Sequence, residues 1–213
     1  PLDVNILEVN PQFAEIGTGL AQRGKEDGPI ESLISFLRAI FLLPGEKKQY
    51  FFREPVSSIV KREAYLCGIN GSFFNQDGKP IGLYMVQGEL ISSGVHNRTA
   101  LIVTESHNVY IDNILMNGYL ILSPGLRLKI NAINETPKEG EVILYTGRYG
   151  DEVEDSRIKI SVKDGIVSEI EERKTKIPKD GYVVSCDNSL NNFLSSKLKS
   201  GDRVETVINL IPY

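Results

Sequence analysis

Ile158-Lys159-Ile160-Ser161-Val162-Lys163-Asp164-Gly165-Ile166-Val167 decides the fold class of this chain. Ile158, Ile160 and Val162 alternate with polar residues, the period of a strand with one face turned to a core. Asp164-Gly165 then accepts the positive φ angles of a tight hairpin turn and sends the chain back through Ile166-Val167. On both sides of this hairpin the same pattern recurs. Val142 to Tyr145 and Tyr182 to Ser185 read as strands, and Gly201-Asp202 precedes a last strand over Val204 to Leu210.

Towards the N-terminus helical and extended patterns mix. Leu2 to Val9 reads as a strand and the polar stretch Gln22 to Pro29 as a loop. Ile30, Leu33, Ile34, Leu37, Ile40 and Phe41 recur at helical spacing until Pro44-Gly45 stops them. Asp27 and Pro29 suit the start of that helix. Val56, Ile59 and Val60 predict a second helix ending near Glu63. Tyr65 to Ile69 reads as a buried strand running into Asn70-Gly71. Leu83 to Val86 and Glu89 to Ile91 flank Gln87-Gly88 as a hairpin, and Ala100 to Val103 pairs with Val109 to Ile111. The expected fold is therefore α+β and β-rich: a mixed helix/strand part over 1–118, then a mostly antiparallel β part over 119–213. The sequence holds no internal repeat and no low-complexity segment.

Composition narrows the function. The 213 residues suffice for one large domain or two small ones. The net charge is −4, and the densest basic run, Arg173-Lys174-Thr175-Lys176, follows directly on Glu171-Glu172. Nucleic-acid binding asks for a basic face that neutralises several phosphates, so no nucleic-acid partner is expected. No apolar run nears the ~20 residues that span a bilayer, so no membrane insertion is expected. Cys67 and Cys186 form no disulfide framework and read as small buried side chains. His96 and His107 lack a completing ligand cluster, so neither metal nor cofactor is expected. The sequence starts at Pro1 without a leader pattern and stops at Tyr213 directly after a strand-like segment, which reads as a piece of something longer.

The candidate site is Asn70-Gly71-Ser72-Phe73-Phe74-Asn75. An Asn-Gly turn leaves backbone N–H groups free to hold an anionic oxygen. Asn70 adds a side-chain donor and acceptor, and Phe73 or Phe74 offers a wall for a sugar face. The competing reading is an ordinary turn with two core phenylalanines. Arg98, before an apolar strand, is a second candidate, because a guanidinium grips phosphate in a bidentate fork. Asp77 and Glu89 could serve as acid or base. Asn70-Gly71-Ser72, Asn97-Arg98-Thr99 and Asn134-Glu135-Thr136 also match the glycosylation acceptor triplet.

Cys67-Gly68-Ile69-Asn70-Gly71-Ser72-Phe73-Phe74-Asn75 resembles the A-x-N-G-G-F-F signature of the phosphodiester glycosidase family, relatives of the enzyme that uncovers mannose 6-phosphate. Further segments resemble bacterial secreted members in the same order: Val4 to Val9, Pro55 to Val60, Pro80 to Leu83 with Gln87 to Leu90, Arg98 to Leu101, Ile130 to Asn134, Val142 to Thr146 and Ile177 to Ser185. Ser72 stands where the signature has its second glycine. Residues from about Gly28 to Phe52 resemble an insertion, and the family's later Asp-Gly-Gly-Gly-Ser segment is not in the sequence. The resemblance implies hydrolysis of a sugar-linked phosphodiester in the cell envelope or outside the cell. It implies Asn70 and Asp77 as catalytic residues, and Gly71, Ser72, Phe74 and Arg98 as contacts to a carbohydrate or sugar-phosphate ligand. A non-catalytic carbohydrate-binding or structural module of the bacterial envelope is the other expectation.

Overall fold

The structure, a computed structural model, describes residues 10, 14–21, 51, 53–76, 78–93 and 99–212. The strand expected over 2–9, the helix expected over 30–43, and Asp77, His96 and Arg98 lie outside the described residues.

The described chain is strand-rich, with two short helices and mostly antiparallel pairing. The Ile158–Val167 hairpin forms as expected. β9 (Ile158–Lys163) and β10 (Ile166–Glu171) pair antiparallel, and the Asp164-Gly165 turn has φ of 52° and 72°. β9 also pairs with β12 (Gly181–Cys186), β12 with β7 (Ile143–Thr146), and β7 in parallel with β6 (Ala132–Ile133). The resulting sheet has the order β10-β9-β12-β7-β6.

A second sheet is built on β4 (Val109–Ser123), which pairs with β3 (Thr99–Val103), β5 (Leu126–Ile130) and β13 (Glu205–Pro212). Residue 118, where the composition shifts, lies inside this strand. Period-two alternation sends Leu120 and Leu122 of β4, Leu128 and Ile130 of β5, Ile158, Ile160 and Val162 of β9, and Val184 and Cys186 of β12 into one shared core. The cap of that core is α2 (Asn191–Lys197), whose Leu194 is fully buried. Neither α2 nor the β4–β5 hairpin is among the sequence expectations.

The opposite face of the five-stranded sheet is covered as well. Ile143, Tyr145 and Val183 pack there against Val153 of β8 (Glu152–Val153), which pairs with β11 (Thr175–Lys176). This doubly covered sheet explains why every residue of β9 except Lys163 is buried. Lys159 lies fully buried on that face. Its ammonium donates to the Arg157 carbonyl at 2.8 Å and to the Asp155 carbonyl, and pairs with the Asp155 carboxylate at 2.9 Å. A buried ammonium persists only with such partners. In the basic run, Arg173 pairs with Glu171 and Lys174 with Glu152 and Glu154, while Thr175 is buried in β11.

The N-terminal part is carried by α1 (Val56–Arg62) and the hairpin of β1 (Leu83–Val86) and β2 (Glu89–Ser93), turning at Gln87-Gly88 as the sequence predicts. Polar ties bind it to the β6–β7 end of the main sheet. Ser93 Oγ accepts from the Ile133 N–H at 2.9 Å, Arg148 donates to Glu89 at 2.6 Å and 2.9 Å, and Lys79 meets Glu135 at 2.6 Å.

Candidate functional site

The segment after α1 is held by backbone and small residues rather than by strand pairing. The Tyr65 N–H donates to the Val60 carbonyl at 2.9 Å, so the chain folds straight back on α1. Gly68 then passes so close to the helix that a Cβ there would lie 2.5 Å from Val60 Cγ2 and 3.2 Å from Val56 Cγ1. On the other side Gly17 and Gly19 lie against Tyr65 and Ile59. Tyr84 donates to the Gly19 carbonyl at 2.9 Å, and Arg62 to the Leu20 carbonyl at 2.9 Å.

From there the chain departs from expectation. Tyr65 to Ile69 is not a buried strand. It pairs with no described strand, and Leu66 and Ile69 are 100% and 76% exposed. Asn70-Gly71 does not make a tight turn either: neither residue has positive φ. The tight turn lies further on, where the Gly78 N–H donates to the Asn75 carbonyl and Asn75 donates to Lys79, both at 2.9 Å. Phe74 bridges Pro80, and the Ile81 N–H donates to the Phe73 carbonyl at 2.8 Å. The physical reason is local. A hairpin closed at 75–78 already reverses the chain, so no turn is required at Asn70-Gly71.

Among the described residues, the N–H groups of Asn70, Gly71 and Ser72 meet no carbonyl, and the Asn70 side chain has no hydrogen-bond partner. The Ser72 hydroxyl donates to the Phe73 carbonyl at 3.2 Å. The neighbouring rings are not core side chains. Phe73 is 76% exposed and Phe74 46%. Of the two, Phe73 presents more of its ring, although Phe74 is the contact named from the sequence.

The hairpin that carries these residues is braced by groups the sequence did not single out. The Lys79–Glu135 ion pair is mostly buried on both sides. The Glu135 carbonyl accepts from Tyr145 Oη at 2.9 Å. Burial, reinforced by Tyr149 and the carboxylate of Asp155, raises the Tyr145 phenol well above its ordinary range, so it stays a proton donor. Asn134 is fully buried, which removes it as a glycosylation acceptor. Lys79 and Glu135 lie 56 residues apart, and no spacing rule links them. Only the docking of the hairpin on β6 and β7 brings them together.

Glu89 is occupied by Arg148, with both side chains about half exposed, so it is a surface pair rather than a poised acid. Cys67 is exposed and Cys186 buried, and they are not bonded. Cys67 thus departs from the buried reading. Among the described residues no cluster of three His, Cys, Asp or Glu is placed to hold a metal ion, and no helix is long and apolar enough to cross a membrane. A surface cleft of about 590 Å³, lined among others by Gly147, Gly150, Asp151, Glu152 and Lys176, includes no residue of the Asn70–Phe74 segment.

No family model matches this chain, and no curated protein matches it. Solved structures do. A hypothetical protein from Synechocystis aligns at TM-score 0.64 and 20% identity over 76% of this chain. A "Putative exported protein" from Burkholderia pseudomallei K96243 aligns at TM-score 0.59 and 17% identity over 74%. These likenesses establish a shared fold. The chain spans 32% and 40% of the length of those two proteins.

Proposed function

We propose that this chain supplies one side of the active site of a glycosyl phosphodiester hydrolase that acts in the cell envelope or outside the cell. The observation that carries the reading is the exposed Asn70-Gly71 segment, with the amides of Asn70, Gly71 and Ser72 and the Asn70 side chain unpaired among the described residues, next to the exposed ring of Phe73. Unpaired donors on an exposed segment suit a phosphate oxygen, and an exposed ring suits the apolar face of a pyranose. A sugar leaving from phosphate departs as a stabilised anion. Such a site depends on holding the phosphate and orienting the anomeric carbon more than on a pair of carboxylates. Arg98 is assigned to the phosphate and Asp77 to proton transfer on sequence grounds, with Gly71, Ser72 and Phe74 as substrate contacts. Export is supported by the name of the Burkholderia neighbour.

The alternative is that this unit binds carbohydrate without cleaving it. A chromogenic sugar phosphodiester separates the two. The intact protein is expected to release the chromophore, and Asn70→Ala and Arg98→Ala each to lower kcat/KM at least about tenfold, one good transition-state hydrogen bond's worth. Binding without release in the intact protein supports the second reading. Full activity in both variants removes this segment from the site.

A further inference from the structure

The sequence contains two Asn-Gly pairs, Asn70-Gly71 and Asn117-Gly118, and the fold treats them in opposite ways. We infer that Asn70-Gly71 is a site of spontaneous self-modification, in which Asn70 closes on the Gly71 nitrogen to form a succinimide and opens to aspartate and isoaspartate, while Asn117 is protected.

The reaction needs a side-chain amide, a backbone nitrogen free to move onto it, and solvent. In the first step the Gly71 nitrogen loses its proton and bonds to Asn70 Cγ, and the Cγ–NH₂ bond breaks to release ammonia. Water then adds to either carbonyl of the ring and opens it. No oxidant, metal or enzyme enters the balance. A glycine on the C-terminal side favours the step because it carries no Cβ to obstruct the nitrogen.

All three conditions are met at Asn70. Residues 66–71 are exposed. Among the described residues, the Asn70 side chain and the Gly71 N–H have no hydrogen-bond partner to give up. A Cβ built on Gly71 would meet nothing within 4 Å, so the space around the nitrogen is open. Asn117 fails them. Gly118 sits in the middle of β4 between two strands, opposite Ile208 of β13 and Ile130 of β5. It is buried, and a Cβ there would lie 3.2 Å from Ile130 Cβ. Cyclisation at Asn117 therefore requires opening the best-paired part of the fold, whereas cyclisation at Asn70 requires no opening.

The inference stands whether or not the segment binds phosphate. If it does, the modification replaces an amide donor by a carboxylate at the phosphate position, so the protein loses ligand affinity as it ages.

The test is incubation of the purified chain in mildly alkaline buffer, with peptide mapping by mass spectrometry. Conversion at Asn70 is expected, with a mass gain of about one dalton and isoaspartate as a product, and at Asn117 a rate at least about tenfold lower. In urea the two sites are expected to convert at similar rates. Gly71→Ala, which meets no neighbour, is expected to slow the reaction at Asn70. The inference is overturned if native Asn117 converts as fast as Asn70. It is equally overturned if native Asn70 stays intact while the urea-treated chain converts, or if Gly71→Ala leaves the rate unchanged.

Discussion

Asn134→Ala should be among the most damaging single substitutions in this fold, and the structure lets the cost be worked out. The pairing of β1 with β2 slips between Tyr84 and Met85, which leaves Ile91 without a cross-strand partner. The Asn134 side-chain amide fills that gap by donating to the Ile91 carbonyl at 2.9 Å and to Thr146 Oγ1 at 3.0 Å, while its oxygen accepts from the Thr146 N–H at 2.9 Å. It thus continues the β6–β7 ladder one step beyond the end of β6. Alanine leaves the buried Ile91 carbonyl without a partner, at about 1–3 kcal/mol, and removes the hydrogen bond of the part-buried Thr146 N–H, at about 0.5–1.5 kcal/mol. Asn134 also has φ of 54°, which asparagine tolerates better than alanine, worth a further ~1 kcal/mol. The sum, about 2.5–5.5 kcal/mol, is a large share of the ~5–15 kcal/mol stability of a typical domain. Equilibrium urea unfolding followed by circular dichroism measures it. Asn134→Gly removes the backbone penalty alone and should recover about 1 kcal/mol of the loss. A loss below about 1 kcal/mol for Asn134→Ala, at unchanged m-value, would falsify the claim that this side chain closes the sheet.

Gly181→Ala should cost more than about 2 kcal/mol in the same experiment, because its Cβ would lie 2.1 Å from the Val162 carbonyl oxygen in the neighbouring strand. Thiol reagents should label Cys67 in the folded chain and Cys186 only in denaturant, since burial pushes the Cys186 thiol up to about 12; equal labelling of both would contradict the packing. Asp187 accepts from the backbone N–H groups of Ser189 and Gly140 and from Arg157, the Ser189 bond contributing most, which holds its carboxyl well below the usual range. A carboxylate depressed by folding stabilises above its unfolded value of about pH 4 and loses that contribution as pH falls through the folded value, so Asp187→Asn should flatten the acid limb of a stability–pH curve.

What the sequence revealed and what it hid follow one physical division. Period-two alternation and turn chemistry are local, so the Ile158–Val167 hairpin, the Gln87-Gly88 turn and the strands β7, β12 and β13 were legible. β5 was not expected, although Leu126, Leu128 and Ile130 alternate, and α2 is short and polar enough to read as a loop. Tyr65 to Ile69 misled for a different reason. Its apolar content predicts burial, but the structure folds the segment against α1 through Gly68 and leaves Leu66 and Ile69 in solvent. At the candidate site the Asn-Gly pair is visible in the sequence, but the turn it suggests forms instead at residues 75–78. The Lys79–Glu135 brace and the Asn134 bridge were invisible, since each joins groups from different parts of the chain.

Phosphate binding and cyclisation at Asn70-Gly71 draw on the same atoms, so each leaves its mark on the other. The same unpaired Gly71 nitrogen that could hold a phosphate oxygen is the nitrogen that attacks Asn70. A phosphate seated on the segment would accept its N–H and hold the Asn70 amide, so it would withdraw both reactants from the cyclisation. Occupancy then acts as protection, as for any equilibrium in which a ligand binds only the intact form. The measurement is the rate of isoaspartate formation at Asn70 with and without a glycosyl phosphate, with inorganic sulfate at equal ionic strength as the control. At saturating glycosyl phosphate the rate should fall at least about threefold, and sulfate should protect less because it lacks the sugar that Phe73 would contact. Conversion that proceeds at one rate in all three buffers would leave the succinimide chemistry standing and remove the phosphate from this segment.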